Sequence, residues 1–131
     1  MTNYYYPAIF HIAEEGGFWI TFPDFPECMT QGEDIADAYK MATEALGLCI
    51  DERIKQKEPL PSCTVPSDLI VKEGSFSCVI EFNLDQYRRK NCSRAVKKTL
   101  SIPEWLNEAC IEQGINFSQV LQEALISKLG L

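Results

Sequence analysis

Tyr4-Tyr-Tyr-Pro-Ala-Ile-Phe-His-Ile12, Glu14-Glu-Gly-Gly17 and Phe18-Trp-Ile-Thr-Phe22, read in succession, decide the fold. The first and third runs are aromatic and β-branched, and the second carries turn chemistry, so the three predict a β-hairpin. Pro23-Asp-Phe-Pro26 interrupts the second strand, Cys28-Met-Thr-Gln31 permits a short third one, and Gly32 precedes a helix start at Asp34. From there Ile35, Ala38, Ala42, Ala45, Leu46, Cys49 and Ile50 fall at helical spacing along one stripe. Asp34 and Asp37 suit the positive N-terminal end of that helix, and Lys55 and Lys57 suit its C-terminal end before Pro59 stops it. Beyond Pro59-Leu-Pro61, Ser75-Phe-Ser-Cys-Val-Ile-Glu-Phe-Asn83 reads as another strand. The order β-β-β-α-β follows, around an antiparallel sheet.

The 131 residues, 46% hydrophobic and 24% charged, have the composition of one globular domain or two small ones. No run approaches eighteen consecutive apolar residues, and Met1-Thr-Asn-Tyr-Tyr-Tyr-Pro7 has neither a basic nor an apolar leader region. A cytoplasmic protein without membrane contact is expected. The six cysteines, at 28, 49, 63, 78, 92 and 110, contain no closely spaced pair and read as reduced thiols. With no Cys-x2-4-Cys and His11 the only histidine, neither zinc nor any other metal or cofactor is expected.

The net charge of -7 conceals two opposite halves. Residues 1–85 hold 15 acids and 5 bases, a net of -10, whereas residues 86–131 hold 7 bases and 4 acids, a net of +3. Arg88, Arg89, Lys90, Arg94, Lys97 and Lys98 cluster, with no acid from Gln86 to Pro103. Such a division fits one part to a polyanion and the other to something cationic; a solvated basic linker is the plainer alternative.

An enzyme built on the acidic half would need carboxylates converging at strand centres to hold a divalent metal. The strand centres are apolar or aromatic, and Glu14, Glu15, Asp24 and Glu27 fall in turns. His11 is the one general acid-base candidate near neutral pH, and a single strand histidine is more often structural than catalytic. Glu14-Glu-Gly-Gly17 leads into a hairpin and not a helix, so it is no phosphate loop. No catalytic residue is assigned.

In the basic half, Ala95-Val-Lys-Lys-Thr-Leu-Ser-Ile-Pro103 alternates, with Val96, Leu100 and Ile102 on one face and Lys97, Thr99 and Ser101 on the other. Pro103 and Glu104 then favour a helix start, with Trp105, Leu106, Ala109 and Cys110 as its stripe, and Gly114 ends it. Asn116 and Ser118 are cap-type residues before a second stripe of Phe117, Val120, Leu121, Ala124, Leu125 and Leu129. One strand and two short helices cannot bury enough apolar surface alone, so residues 95–131 are expected to dimerise by pairing their strands antiparallel. The ribbon would present Lys97, Thr99 and Ser101 to base edges in a DNA major groove, and the second helix's N-terminus near Asn116, Phe117 and Ser118 to phosphates. Alternatively, Ser101 caps the helix with Glu104 completing a capping box.

Both halves resemble known families. Tyr6-Pro7, Gly17-Phe18-Trp19, Phe22-Pro-Asp-Phe-Pro26, Cys28, Thr30-Gln-Gly32 and the helix ending at Pro59-Leu-Pro61 resemble the N-terminal domain of HicB antitoxins. Leu100-Ser-Ile-Pro-Glu-Trp-Leu106 and Asn116-Phe-Ser-Gln-Val-Leu121 resemble a ribbon-helix-helix repressor. The resemblance implies an α+β protein: a partial RNase H-like β-β-β-α-β domain at 1–85 that lacks the nuclease's metal-binding carboxylates, a basic linker at 86–94, and a ribbon-helix-helix dimerisation and DNA-binding domain at 95–131. It also implies a partner, a small basic HicA-like toxin that cleaves mRNA, which the acidic domain would mask, and double-stranded operator DNA bound by the homodimer. Lys97, Thr99 and Ser101 are then the base-contacting set, and Arg94, Lys98, Asn116, Phe117 and Ser118 the phosphate set. Lys98 departs from the pattern by sitting on the inward face, where these ribbons carry an apolar residue; snorkelling at the dimer edge would bring it to phosphate. The competing readings are a residual ribonuclease using His11 with Glu14 or Asp24, and a structural dimer that binds no DNA.

Overall fold

A computed structural model describes residues 3–131; Met1 and Thr2, the start of the stretch read for a leader, lie outside the described residues. Four strands, β1 (Asn3–Ile12), β2 (Phe18–Phe22), β3 (Phe25–Gly32) and β4 (Phe76–Asn83), form one antiparallel sheet in the order β3-β2-β1-β4. One long helix, α1 (Ile35–Lys55), follows β3, and three shorter ones, α2 (Leu84–Asn91), α3 (Glu104–Glu112) and α4 (Phe117–Leu129), follow β4. The protein is therefore α+β.

The hairpin forms as its sequence predicts, with His11 opposite Trp19 and Phe10 opposite Ile20. Gly16 and Gly17 turn it at φ of 97° and 77°, a region that only glycine enters without strain. The third strand begins at Phe25, three residues earlier than expected. Pro26 is tolerated there because β3 is an edge strand and Pro26 needs no inward amide partner. Asp34 caps α1 by accepting from the amide of Asp37 at 2.8 Å.

Alternation sorts the strands into two faces. Tyr6, Ala8, Phe10, Ile20, Phe22, Phe25, Cys28, Ile80 and Phe82 turn to α1, which meets them with Ala38, Ala42, Leu46 and Ile50. Small residues bring the helix close. A Cβ on Gly47 would lie 2.5 Å from Phe82 Cε1, and one on Gly32 would lie 2.4 Å from Ala38 Cα. After α1 the chain returns along the body, held where the Tyr6 hydroxyl donates to Pro61 O at 2.6 Å and where Asp24 accepts from the Thr64 amide at 3.1 Å.

The basic linker expected at 86–94 is in large part a helix. Asn83 caps α2 by accepting from the Gln86 amide at 2.8 Å, Leu84 is buried, and Tyr87 packs edge-on against Phe82. Arg88 reaches Asp51 on α1 at 3.5 Å, and Lys55 meets the other oxygen of the same carboxylate at 3.0 Å. Asp51 is the one charged residue in the core among the described residues, and these two cations compensate its burial. The first eight residues after β4 thus extend the acidic body, and residues 92–103 form the irregular connection that follows.

Candidate nucleic-acid and partner interfaces

The tail is built from two capped helices with nothing beneath them. Asn116 caps α4 by accepting from the Gln119 amide at 3.1 Å, and Gly130 closes it in the left-handed conformation at φ 74°. Gly114, at φ 66°, makes the turn between α3 and α4. Pro103 stands at the N-cap of α3 with no side-chain cap bond, so Ser101 and Glu104 do not form the capping box considered as an alternative. Beyond Leu84 no residue of the chain is buried. Val96 is 78% exposed, Trp105 70% and Leu129 71%, an apolar surface that a soluble monomer does not leave to water.

The predicted strand 95–102 has no hydrogen-bonded partner in the single chain and carries no regular structure. Its alternation is nevertheless visible in what each residue faces. Lys98, Leu100 and Ile102 line a groove of about 600 Å³ together with Leu106, Cys110 and Phe117. Lys97, Thr99 and Ser101 are exposed and lie outside that lining. The groove therefore brings Lys98, Phe117 and Ser118 together from the predicted phosphate set, and leaves Arg94 and Asn116 elsewhere. Leu106 lines the groove from the stripe expected on α3, whereas Asn107 and Ile115 join it from outside either predicted stripe.

In the acidic body, His11, Glu14 and Asp24 do not form a site. Glu14 lies in the turn before β2 and Asp24 in the turn after it, at opposite ends of a five-residue strand. Asp24 is engaged by Thr64 through both its amide and its hydroxyl. His11 stacks on Trp19 with ring centroids 3.7 Å apart, and its Nε2 is 2.9 Å from Thr21 Oγ1. Partial burial holds its pKa below the ordinary histidine value, and the nearby Lys72 ammonium acts in the same direction. Among the described residues no three or more His, Cys, Asp or Glu side chains are placed to hold a metal ion. The bidentate Glu27–Arg53 pair, with the guanidinium 4.7 Å above the Phe25 ring, lowers the Glu27 pKa and clamps β3 to α1. No described helix is long and apolar enough to cross a membrane.

With this geometry in place, residues 5–73 match the family model described as "HicB_like antitoxin of bacterial toxin-antitoxin system". The chain belongs to the HicB-like antitoxin family. The match runs from β1 through α1 to the loop before β4, so it covers most of the acidic body. Antitoxin HicB of Escherichia coli K12 is 42% identical over 59 residues, which make up 44% of this chain and 43% of that protein. The chain thus spans less than half the length of the curated HicB antitoxins that it matches. Among solved structures, a chain of a toxin-antitoxin complex from Streptococcus pneumoniae superposes with a TM-score of 0.63 at 28% identity, over 97% of this chain and 99% of its own. A chain of the HicA3 and HicB3 toxin-antitoxin complex gives 0.51 at 30% identity, over 61% of this chain and 99% of its own. The likeness to the Streptococcus pneumoniae chain therefore extends over the tail as well as the body.

Proposed function

We propose that this HicB-like protein is a non-enzymatic antitoxin that masks a HicA-like toxin with its acidic body and represses its own operon through a ribbon-helix-helix tail that binds DNA as a dimer. The observation that carries the repressor half is the tail's exposed apolar groove, lined by Leu100, Ile102, Leu106, Phe117 and Val120. A second copy laid antiparallel along residues 95–102 would cover it and satisfy the unpaired backbone of that segment. The paired segment would then carry Lys97, Thr99 and Ser101 twice on its wet face, at a width that fits the major groove. Lys98, although it lines the groove, reaches phosphate from its rim by extending its ammonium past the apolar stem. Arg94 and the N-terminus of α4 at Asn116, Phe117 and Ser118 supply the remaining backbone contacts.

Support for the masking half is electrostatic and comparative. A body of net charge -10 attracts a basic partner and occupies the surface where that partner would receive RNA phosphates. Related chains are found in toxin-antitoxin complexes. Two measurements test the reading. In a gel-shift titration the protein should bind its own upstream DNA in preference to random duplex, and equal binding to both would refute the repressor assignment. Lys97→Ala should weaken the specific complex by roughly 1 to 3 kcal/mol, while Arg94→Ala should weaken all duplexes alike and lower the salt dependence. Co-expression with a small basic protein encoded beside it should yield a stable complex; free behaviour of both would refute the masking role.

A further inference from the structure

The two edges of the sheet are treated differently. β3 ends the sheet on one side with Pro26 and the charged Glu27, and its pairing with β2 is broken by a register shift between Thr21 and Phe22. Proline, charge and irregularity are the devices that keep an edge from recruiting another strand. β4, on the opposite side, has neither proline nor a break in register, and its one charged residue is Glu81. Its eight residues, Phe76-Ser-Cys-Val-Ile-Glu-Phe-Asn83, contain no proline or basic residue, and they pair with β1 without interruption from Phe10↔Phe76 to Asn3↔Asn83. Among the described residues no backbone hydrogen bond reaches its free side. Beside it lies a groove of about 730 Å³ between α1, β4 and α2, whose walls include Tyr39, Leu48, Phe82 and Tyr87. Val79, at mid-strand, is 41% exposed.

We infer that β4 pairs antiparallel with β4 of a second copy of this chain, joining two acidic bodies into one eight-stranded sheet. The strand is self-complementary in the register centred on Val79. That register places Val79 against Val79, Ser77 against Glu81 on the outer face, and Cys78 against Ile80 and Phe76 against Phe82 on the helix face. Residues from one face meet residues from the same face, as the pleat demands, and the two Glu81 carboxylates face serines and not each other. The second copy is favoured over a foreign strand because the tail supplies it. With residues 95–102 paired, only residues 92–94 separate each body from the tail, a reach of roughly 10 Å, so two bodies on one paired tail are held within each other's range. The inference rests in that respect on the tail pairing proposed above.

Amide exchange followed residue by residue by NMR on the full chain, with the mass of the same sample measured by native mass spectrometry, tests it. The expected result is a dimeric or higher mass, with every β4 amide protected, including those that do not bond to β1. Val79→Lys leaves the body's core alone and sets two ammonium groups face to face; it should abolish protection of the outward amides while the tail stays paired. Val79→Ile should retain it. A paired tail with outward β4 amides that exchange freely in the unmodified chain would overturn the inference and leave the repressor reading intact. So would protection unchanged by Val79→Lys, or protection that appears only when a basic partner protein is added. A monomeric mass would overturn the tail pairing itself, and with it this inference.

Discussion

The acidic body and the basic tail use the same kind of local code and complete it differently. In the body, α1 carries an apolar stripe and the sheet supplies the surface that buries it, so Ala38, Ala42, Leu46 and Ile50 are fully enclosed within one chain. In the tail, α3 and α4 carry equally regular stripes, yet nothing past Leu84 is buried. Periodicity specifies that a helix has an inner face; it does not say whose atoms will cover that face. The body is finished by its own sequence, and the tail's apolar faces are left uncovered within one chain, which is what the proposed pairing would complete.

The sharpest way to break this comparison is to charge the core that tail pairing would form. Leu100→Asp places a carboxylate in the tail groove, where pairing would bury it without a partner cation. Loss of the dimer by native mass, and of specific DNA binding, should follow, while the melting of the body stays unchanged. A Leu100→Asp protein that remained paired would show that the groove is not the interface. The converse test attacks the body alone. Leu46→Ala removes a fully buried side chain between α1 and the sheet and should cost about 2 to 5 kcal/mol by chemical denaturation of the body. Equal destabilisation of tail pairing would mean that the two parts fold as one unit.

A finer probe is Gly47→Ala. The new methyl would press on the Phe82 ring, which is held by Tyr87 and the sheet, and overpacking of this kind costs about 1 to 3 kcal/mol. Alanine's better helix propensity returns up to about 1 kcal/mol, leaving a modest net loss in thermal or urea melts. A gain in stability would show that α1 can move off β4 at little cost.

The hairpin, the capped α1 and β4 were legible because each is long, periodic and bounded by turn or cap residues. α2 was not. Its sequence is polar except for Leu84 and Tyr87, and the cluster Arg88-Arg-Lys90 drew attention as a solvated or DNA-facing run. What makes it a helix of the body is Asn83 at its cap, Leu84 in the core and, for Arg88, the Asp51 carboxylate 37 residues earlier on α1, a long-range partner that no local pattern reveals. The early start of β3 was hidden for the opposite reason: Pro26 reads as a breaker until the strand is known to lie at an edge. In the tail, the inward position of Lys98 was legible from alternation alone, since Lys98, Leu100 and Ile102 share the groove.

The smallest effect concerns His11, and it separates a structural histidine from a functional one. Its folded-state pKa lies below the unfolded value, because burial and then Lys72 disfavour the imidazolium. The unfolded chain therefore binds the proton first as pH falls, and linkage makes the sign definite: stability is complete above the ordinary histidine pKa of roughly 6.5 and declines as the pH drops through it. Charging the ring would also disturb its contact with Thr21 and its stack on Trp19. His11→Gln cannot titrate, so its stability between about pH 7 and pH 5 should fall less steeply than that of the unmodified protein, measured as parallel urea melts. Operator binding by His11→Gln should match the unmodified protein at pH 7, because the ring belongs to the body and the tail is the part proposed to read the bases. A shared pH slope would mean that the ring titrates alike in both states, and that its burial against Trp19 carries no electrostatic cost.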